Sequence, residues 1–161
     1  MNNTTQGRNQ LLAWENSKPD NFYTGSPNLA NVLRMYRGEQ FDKYLLTRLG
    51  RFAATEMDQL AKIEDRIGNH PKLERWSGLG ERIEQIEFHP NHDAIGRVIW
   101  GSGLMSIQAE AGNTVEQMSR YYLLTMNGEA GHLCSLACTS GLIKALQQVA
   151  DDAVREKFLP P

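Results

Sequence analysis

Apolar residues recur with helical spacing along most of the chain. The first stripe, at i, i+3, i+4 and i+7, consists of Leu29, Val32, Leu33 and Tyr36. It follows Ser26-Pro27, a pair suited to the N-cap and first position of a helix, and precedes Gly38, a residue typical of helix ends. The same reasoning predicts further helices over 39–67, 92–111, 113–125, 132–149 and 152–158, the last with Asp151 as its N-cap.

Two stretches depart from this helical spacing. Residues 83–88 alternate between apolar and polar, which allows a brief extended segment, but no second strand is evident to pair with it. Residues 1–25 are rich in Asn, Thr, Gly and Ser, and we expect an extended arm there. Within the arm Trp14, Phe22 and Tyr23 either anchor it to the body or belong to a loose tail.

Five or six helices without a credible sheet predict an all-α fold, a helical bundle. The length of 161 residues suits one domain with a sizeable core. We therefore divide the chain into the arm, residues 1–25, and a helical domain, residues 26–161.

Charge and composition exclude several functional classes. The formal net charge of −2, without a basic stripe, argues against nucleic-acid binding. No apolar run approaches the length of a membrane span, and the N-terminus lacks a signal-peptide pattern, so we expect a cytoplasmic protein. The two cysteines, Cys134 and Cys138, do not form the pattern of a disulfide scaffold.

The sequence carries no strong catalytic or metal-binding motif. His89 and His92 are three apart, but Pro90 lies between them and no carboxylate or Cys stands at a ligand spacing. We therefore interpret His89 as a residue of the turn that begins a helix. Phosphate-binding and hydrolase motifs are absent from the sequence, so we predict no catalytic residue and no metal site.

One helix face combines small side chains. At i, i+3, i+4 and i+7 it presents Cys134, Ala137, Cys138 and Gly141. Such a face either lets another helix approach closely or leaves room for a slender ligand. Glu129, just before this helix, is better suited to interact with the helix N-terminus than to act as a catalytic base.

Two segments resemble motifs of the acyl-CoA dehydrogenase family, in the branch that includes the bacterial adaptive-response flavoproteins. They are Glu87-Phe-His-Pro-Asn-His-Asp-Ala-Ile95 and Glu129-Ala-Gly-His-Leu-Cys-Ser-Leu-Ala-Cys-Thr139. Asn21-Phe-Tyr and Lys157-Phe-Leu-Pro-Pro161 are weaker matches, and Ser135 departs from the branch by replacing a proline. The resemblance covers residues 20–161 and matches the N-terminal helical domain of that family.

The resemblance implies a three-part enzyme: this helical domain, a β-domain that would follow it, and a C-terminal bundle. In that family FAD lies between the last two parts, and the catalytic carboxylate is in the C-terminal bundle. The N-terminal helices wall the acyl pocket, and the matching positions here are Leu133, Cys134, Ala137, Cys138 and Gly141. The catalytic base and the flavin motifs have no counterparts in this sequence, so we expect the chain alone to be inactive and free of FAD.

The implied partners are acyl-CoA and the missing β- and C-terminal domains. Without those domains an apolar surface would remain uncovered, and we expect it on helix 132–149 with Leu133 and Leu136, leading to self-association. The alternative function is a non-catalytic helical interaction module.

Overall fold

A computed structural model describes residues 3–109 and 113–159 of the chain. The fold is mostly helical, with one small two-stranded sheet. The α-helices in the described residues are α1 (Asn3–Asn16), α2 (Pro27–Arg37), α3 (Lys43–Ala54), α4 (Glu56–Glu64), α5 (Pro90–Trp100), α6 (Thr114–Thr125), α7 (Gly131–Val149) and α8 (Asp152–Phe158). The strands are β1 (Lys72–Trp76) and β2 (Arg82–Glu87), and short 3₁₀ turns occupy Ile67–Asn69 and Ser106–Ala109.

Helices α2, α6, α7 and α8 match the periodicity of the sequence closely. Pro27 opens α2 and Gly38 ends it, with the Gly38 N–H donating to the Arg34 carbonyl. Asp151 is the N-cap of α8, where its carboxylate accepts a hydrogen bond of 2.9 Å from the Val154 N–H. The predicted N-cap of the last helix is thereby confirmed.

The N-terminal segment differs from the predicted extended arm. Residues Asn3–Asn16 form α1, because Gln, Leu, Ala and Glu in its second half favour a helix. Lys18, just beyond α1, bonds both Glu15 and the buried Asp58 of α4, which ties this end of α1 to the body. Phe22 and Tyr23 are buried in the core, while Trp14 stays 59% exposed, so two of the three candidate anchors dock.

Asn21 fixes the docked turn onto α3. Its amide donates to the Thr47 carbonyl at 3.0 Å, and its side-chain oxygen accepts from the Tyr23 N–H at 2.9 Å. Gly50 permits this approach, because a Cβ there would lie 2.6 Å from the Asn21 Oδ1 atom. The core therefore begins N-terminal to the predicted domain boundary at residue 26.

The long helix predicted over 39–67 is two helices. Thr55 separates α3 from α4 with a non-helical backbone, φ −119° and ψ −85°. The break lets α3 pack against α6 while α4 packs against α5. The helix predicted over 92–111 likewise ends at Trp100, where Gly101 begins a segment of turns. These breaks, together with α1, raise the number of helices above the five or six predicted.

The sheet was missed because the partner of residues 83–88 lies in an irregular stretch. Antiparallel strands β1 and β2 pair Lys72 with Glu87 and Leu73 with Ile86. The register shifts between Glu74 and Trp76, opposite Glu84, whose φ is +49°. Every residue of both strands is exposed, so the hairpin lies outside the core.

The core fills the space between α2, α3, α4, α5, α6 and the start of α7. Its largest fully enclosed side chains, each under 2% exposed, are Leu33, Leu46, Met57, Ile95, Ile99, Leu104, Leu123, Leu124, Leu136 and Gln117. None of the described helices is long and apolar enough to cross a bilayer.

Candidate functional site: the start and outer face of α7

The first turn of α7 is capped by Glu129. Its Oε1 atom accepts a hydrogen bond of 3.0 Å from the His132 N–H, which satisfies one of the free donors at the helix start. The Glu129 N–H in turn donates to the Asn127 side-chain oxygen at 3.0 Å. This geometry confirms the interpretation of Glu129 as an N-terminal acid of the helix.

His132 joins α7 to α5 through its ring. Its Nε2 atom lies 2.8 Å from the His92 carbonyl oxygen, so this nitrogen carries the proton and donates it. The two imidazole rings also contact each other, with centroids 4.0 Å apart and planes 30° apart. Phe88 stacks on the other side of His92, at 4.4 Å and 14°.

Glu64 of α4 completes this group of side chains, which we call the histidine stack: Glu64, Phe88, His92 and His132. The Nδ1 atom of His92 lies 2.8 Å from Glu64 Oε1, and both side chains are about a fifth exposed, 23% and 22%. The stack therefore connects α4, the segment before α5, α5 itself and α7. It also brings together the two segments on which the family resemblance rests.

Gly96 leaves the space that the His132 ring occupies. A Cβ at position 96 would lie 2.7 Å from His132 Cε1, a distance that real Cβ atoms essentially never show. Glycine inside α5 costs about 1 kcal/mol of helix stability relative to alanine. The close approach of the ring is the physical reason for a glycine here.

The small-residue face predicted for this helix points away from the core. Cys134, Ala137, Cys138 and Gly141 are all exposed. A Cβ added at Gly141 would meet no atom within 4 Å, so no described helix of this chain packs closely against that point. Close packing within the chain therefore does not explain the face.

Leu133, predicted with these four positions, lies on the other side of α7. It is 3% exposed and Leu136 is fully buried, so both belong to the core. The prediction that Leu133 and Leu136 form an uncovered apolar surface is wrong, because the helical phase turns them toward α5 and α6. The large apolar side chains that α7 does expose are those of Leu142 and Val149.

Tyr121 of α6 lies beneath this face. Desolvation raises the pKa of its phenol above the ordinary value; Ser140 nearby lowers it, and the Cys138 and Cys134 thiols raise it. The Ser140 hydroxyl also contacts the Met105 sulfur at 3.7 Å. The face therefore consists of two thiols and small side chains over a phenol, with no charged residue among them.

The remaining histidines have structural roles. His89 is the N-cap of α5, and its Nδ1 accepts from the Asn91 N–H at 3.2 Å, which confirms the interpretation of His89 as a turn residue. His70 contacts the Asp65 carbonyl oxygen. Across residues 3–109 and 113–159, no three His, Cys, Asp or Glu side chains converge as a metal-binding group.

Among the described residues, two cavities of several hundred Å³ lie away from α7. One of about 560 Å³ is apolar and lies between the start of α2 and the end of α6, lined by Leu29, Val32, Tyr122 and Met126 among others. The other, of about 450 Å³, is lined by Arg37, Asp42, Glu116 and Arg120 among others. Arg120 is already engaged there, since it bonds Glu116 at 2.7 Å and the Ser102 and Gly103 carbonyls.

A family model described as the adaptive response protein AidB N-terminal domain matches residues 9–161 of the chain. No curated protein matches the chain. A solved structure described as "Bd2924 apo-form" has a similar fold, with a TM-score of 0.74 over 87% of this chain at 24% identity. This chain covers 29% of the length of that one.

Proposed function

The chain belongs to the family of adaptive response protein AidB N-terminal domains, an acyl-CoA dehydrogenase-like flavoprotein family, and on that basis we propose that it forms one wall of an acyl-binding site. The observation that carries the proposal is the outer face of α7. Its four small residues are exposed and uncharged, and no other part of the described chain packs closely at Gly141.

The proposed wall consists of Cys134, Ala137, Cys138 and Gly141. These residues lie on one stripe of α7, about 10 Å long at the rise of an α-helix, which suits a slender acyl chain lying along it. Leu133 and Leu136 hold the helix from the opposite side, within the core. The ligand class is an acyl thioester, acyl-CoA, and the parts that would close the site are a β-domain and a C-terminal bundle.

The described residues do not fit FAD. The apolar cavity near α2 has no cationic side chain in its lining to meet a pyrophosphate. In the polar cavity the two arginines, Arg37 and Arg120, are matched by Asp42 and Glu116, and Glu116 holds the guanidinium of Arg120, so the lining carries no net positive charge. We therefore infer that flavin contacts and the catalytic base lie outside this chain, and that the chain alone is inactive and colourless when purified. Stoichiometric flavin absorbance on the purified chain would contradict this.

Ala137→Leu tests the acyl wall. Because residue 137 is exposed on α7, the larger side chain meets solvent in the isolated chain, and we expect a change in unfolding free energy within about 0.5 kcal/mol. In a protein where the β-domain and C-terminal bundle follow, the same change should shorten the preferred acyl chain. Chemical denaturation measures the first effect, and initial rates with acyl-CoA of graded length measure the second.

The control for Ala137→Leu is Ser135→Leu, which adds a leucine on α7 outside the stripe. An unchanged chain-length preference in Ala137→Leu, or an equal change in Ser135→Leu, would contradict the proposed wall. A loss of roughly 1–3 kcal/mol in the isolated chain would instead indicate a packed contact.

A second candidate, a non-catalytic helical interaction module, is favoured by the hairpin. Leu73, Trp76, Ile83 and Ile86 are between 44% and 61% exposed there, and Leu79 at the tip is 90% exposed. Such a concentration of exposed apolar side chains is typical of surfaces that contact another protein. A partner bound through the hairpin, together with no effect of Ala137→Leu on any acyl ligand, would favour this second function.

A further inference from the structure

We propose that His132 is a positioning residue for α7: through the histidine stack it fixes the direction in which the outer face of the helix points. The proposal deepens the acyl-wall function and rests on it for its biological meaning. The physical claim about α7, however, concerns only residues of this chain.

The contacts of α7 with the body are concentrated at its start. Leu133 and Leu136 are buried, whereas from Gly141 to Val149 every residue except the half-buried Ile143 and Leu146 is exposed. The outer half of the helix therefore has few contacts with the core, and α8, which follows it, is the other element that α7 contacts. Gly141 lies about 13 Å along the axis from His132, so a tilt of about 10° at the start would move it by about 2 Å.

The buried leucines alone do not determine that direction. The hydrophobic effect is non-directional, so burial of the two leucines favours contact with the core without imposing a particular bond direction. The His132 side chain adds two directional constraints: the 2.8 Å hydrogen bond to the His92 carbonyl and the ring contact at 4.0 Å. The Glu129 cap lies on the backbone N–H of residue 132 and is independent of this side chain. Together these contacts fix both the position and the rotation of the first turn of α7.

Gly96 and Glu64 show how closely the His132 ring fits against its neighbours. The surface of α5 is open at Gly96, where the imidazole carbon would lie 2.7 Å from an added Cβ. Glu64 holds the His92 ring, against which His132 lies, from α4. The His132 ring therefore links α7 to α5 directly and to α4 through the His92 ring.

The test first measures amide hydrogen exchange of the whole chain for three variants. His132→Ala should speed exchange of the α7 amides by about tenfold or more, while the amides of α3 keep their rates, because only the local opening of α7 becomes easier. Ser135→Ala, an exposed position on the same helix, is the matched control and should leave both rates unchanged. His132→Gln retains an N–H donor and should restore much of the protection.

Gly96→Ala gives an independent test, because its effect on α7 exchange should differ between chains with and without the His132 ring. With His132 present, the methyl group strikes the ring and should speed α7 exchange as His132→Ala does. In the His132→Ala background there is no ring to strike, so the same alanine should leave α7 exchange unchanged or slow it, since alanine favours helix.

Three results would overturn the proposal. The first is unchanged α7 exchange in His132→Ala, and the second is an equal effect of Gly96→Ala in both backgrounds. The third is exchange that rises equally in α3 and α7, because His132 would then support the whole fold rather than α7. None of these measurements uses an acyl ligand. Failure of the acyl wall, seen with Ala137→Leu, is therefore distinguishable from failure of the positioning role.

Discussion

At the scale of single residues, the polar groups differ in how much they stabilise the fold, and the buried ones matter most. Asp58 is 6% exposed and receives Lys18 at 3.0 Å and Lys62 at 2.6 Å. Lys62 also contacts Glu15, so the four charges alternate in sign across the junction of α1 and α4. A buried carboxylate with two cationic partners is a site where removing one member leaves charge uncompensated.

We expect Asp58→Ala to lower the free energy of unfolding by about 3 kcal/mol, the lower end for a broken buried ion pair, because Lys62 is half exposed and regains water. The control is Glu39→Ala, which removes the exposed Arg34–Glu39 pair and should cost less than about 0.5 kcal/mol. Urea denaturation measures both. Equal effects of the two substitutions would show that the Asp58 cluster contributes no more than a surface pair.

At the scale of elements, the hairpin differs from the helices because it contributes no side chain to the core. Two-stranded hairpins are marginally stable on their own, and here Leu73 and Ile86 face each other on a ribbon whose residues are all exposed. The helices keep the core closed without it. Association of the chain should therefore depend on the hairpin, while its stability should not.

We expect the double substitution Trp76→Ser with Leu79→Ser to change the unfolding free energy by less than about 1 kcal/mol, since both side chains are exposed. Self-association and binding of a hydrophobic dye should both fall, as sedimentation velocity and dye fluorescence can measure. Leu46→Ala, in the core, is the contrasting variant and should cost about 2–5 kcal/mol. If self-association were unchanged in the hairpin variant, the surface through which the chains associate would lie elsewhere.

How far the sequence predicts each element depends on whether its cause is local. Asp151 and Gly38 act on adjacent backbone, so the boundaries of α8 and α2 could be predicted. The break at Thr55 has no Gly or Pro signal; it reflects the separate contacts of α3 with α6 and of α4 with α5. The small face of α7 could be read from periodicity, but the contact of His92 with His132 spans 40 residues and could not.

At the scale of the whole molecule, the core includes residues that precede the first predicted helix. Phe22 is 2% and Tyr23 5% exposed, and both lie in the same cluster as Leu33 and Leu46. Helix α1, by contrast, leaves Leu11, Leu12 and Trp14 exposed by half or more. The smallest stable unit should therefore begin after α1 and before Asn21.

We expect a chain of residues 17–161 to lose only about 1 kcal/mol, mostly the partly exposed ion pairs of Glu15 with Lys18 and Lys62. A chain of residues 26–161 should lose about 3 kcal/mol or more, because burial of the Phe22 and Tyr23 rings and the bonds of Asn21 are removed. Thermal unfolding monitored by circular dichroism measures both. Equal stability of the two truncated chains would show that the docked turn contributes little.

The tip of the hairpin is a point of the chain that takes no part in the core. Gly78 and Gly80 have nothing within 4 Å of an added Cβ, and exposed tips of this kind are where proteases nick a folded chain. A cut there leaves one piece with α1 to α4 and another with α5 to α8, while the pairings of α3 with α6 and of α4 with α5 all run between the pieces. Each piece would then lack the helices that the other supplies. If the two pieces are produced separately, their reassembly into the folded domain should report whether two proteins fused to them come together.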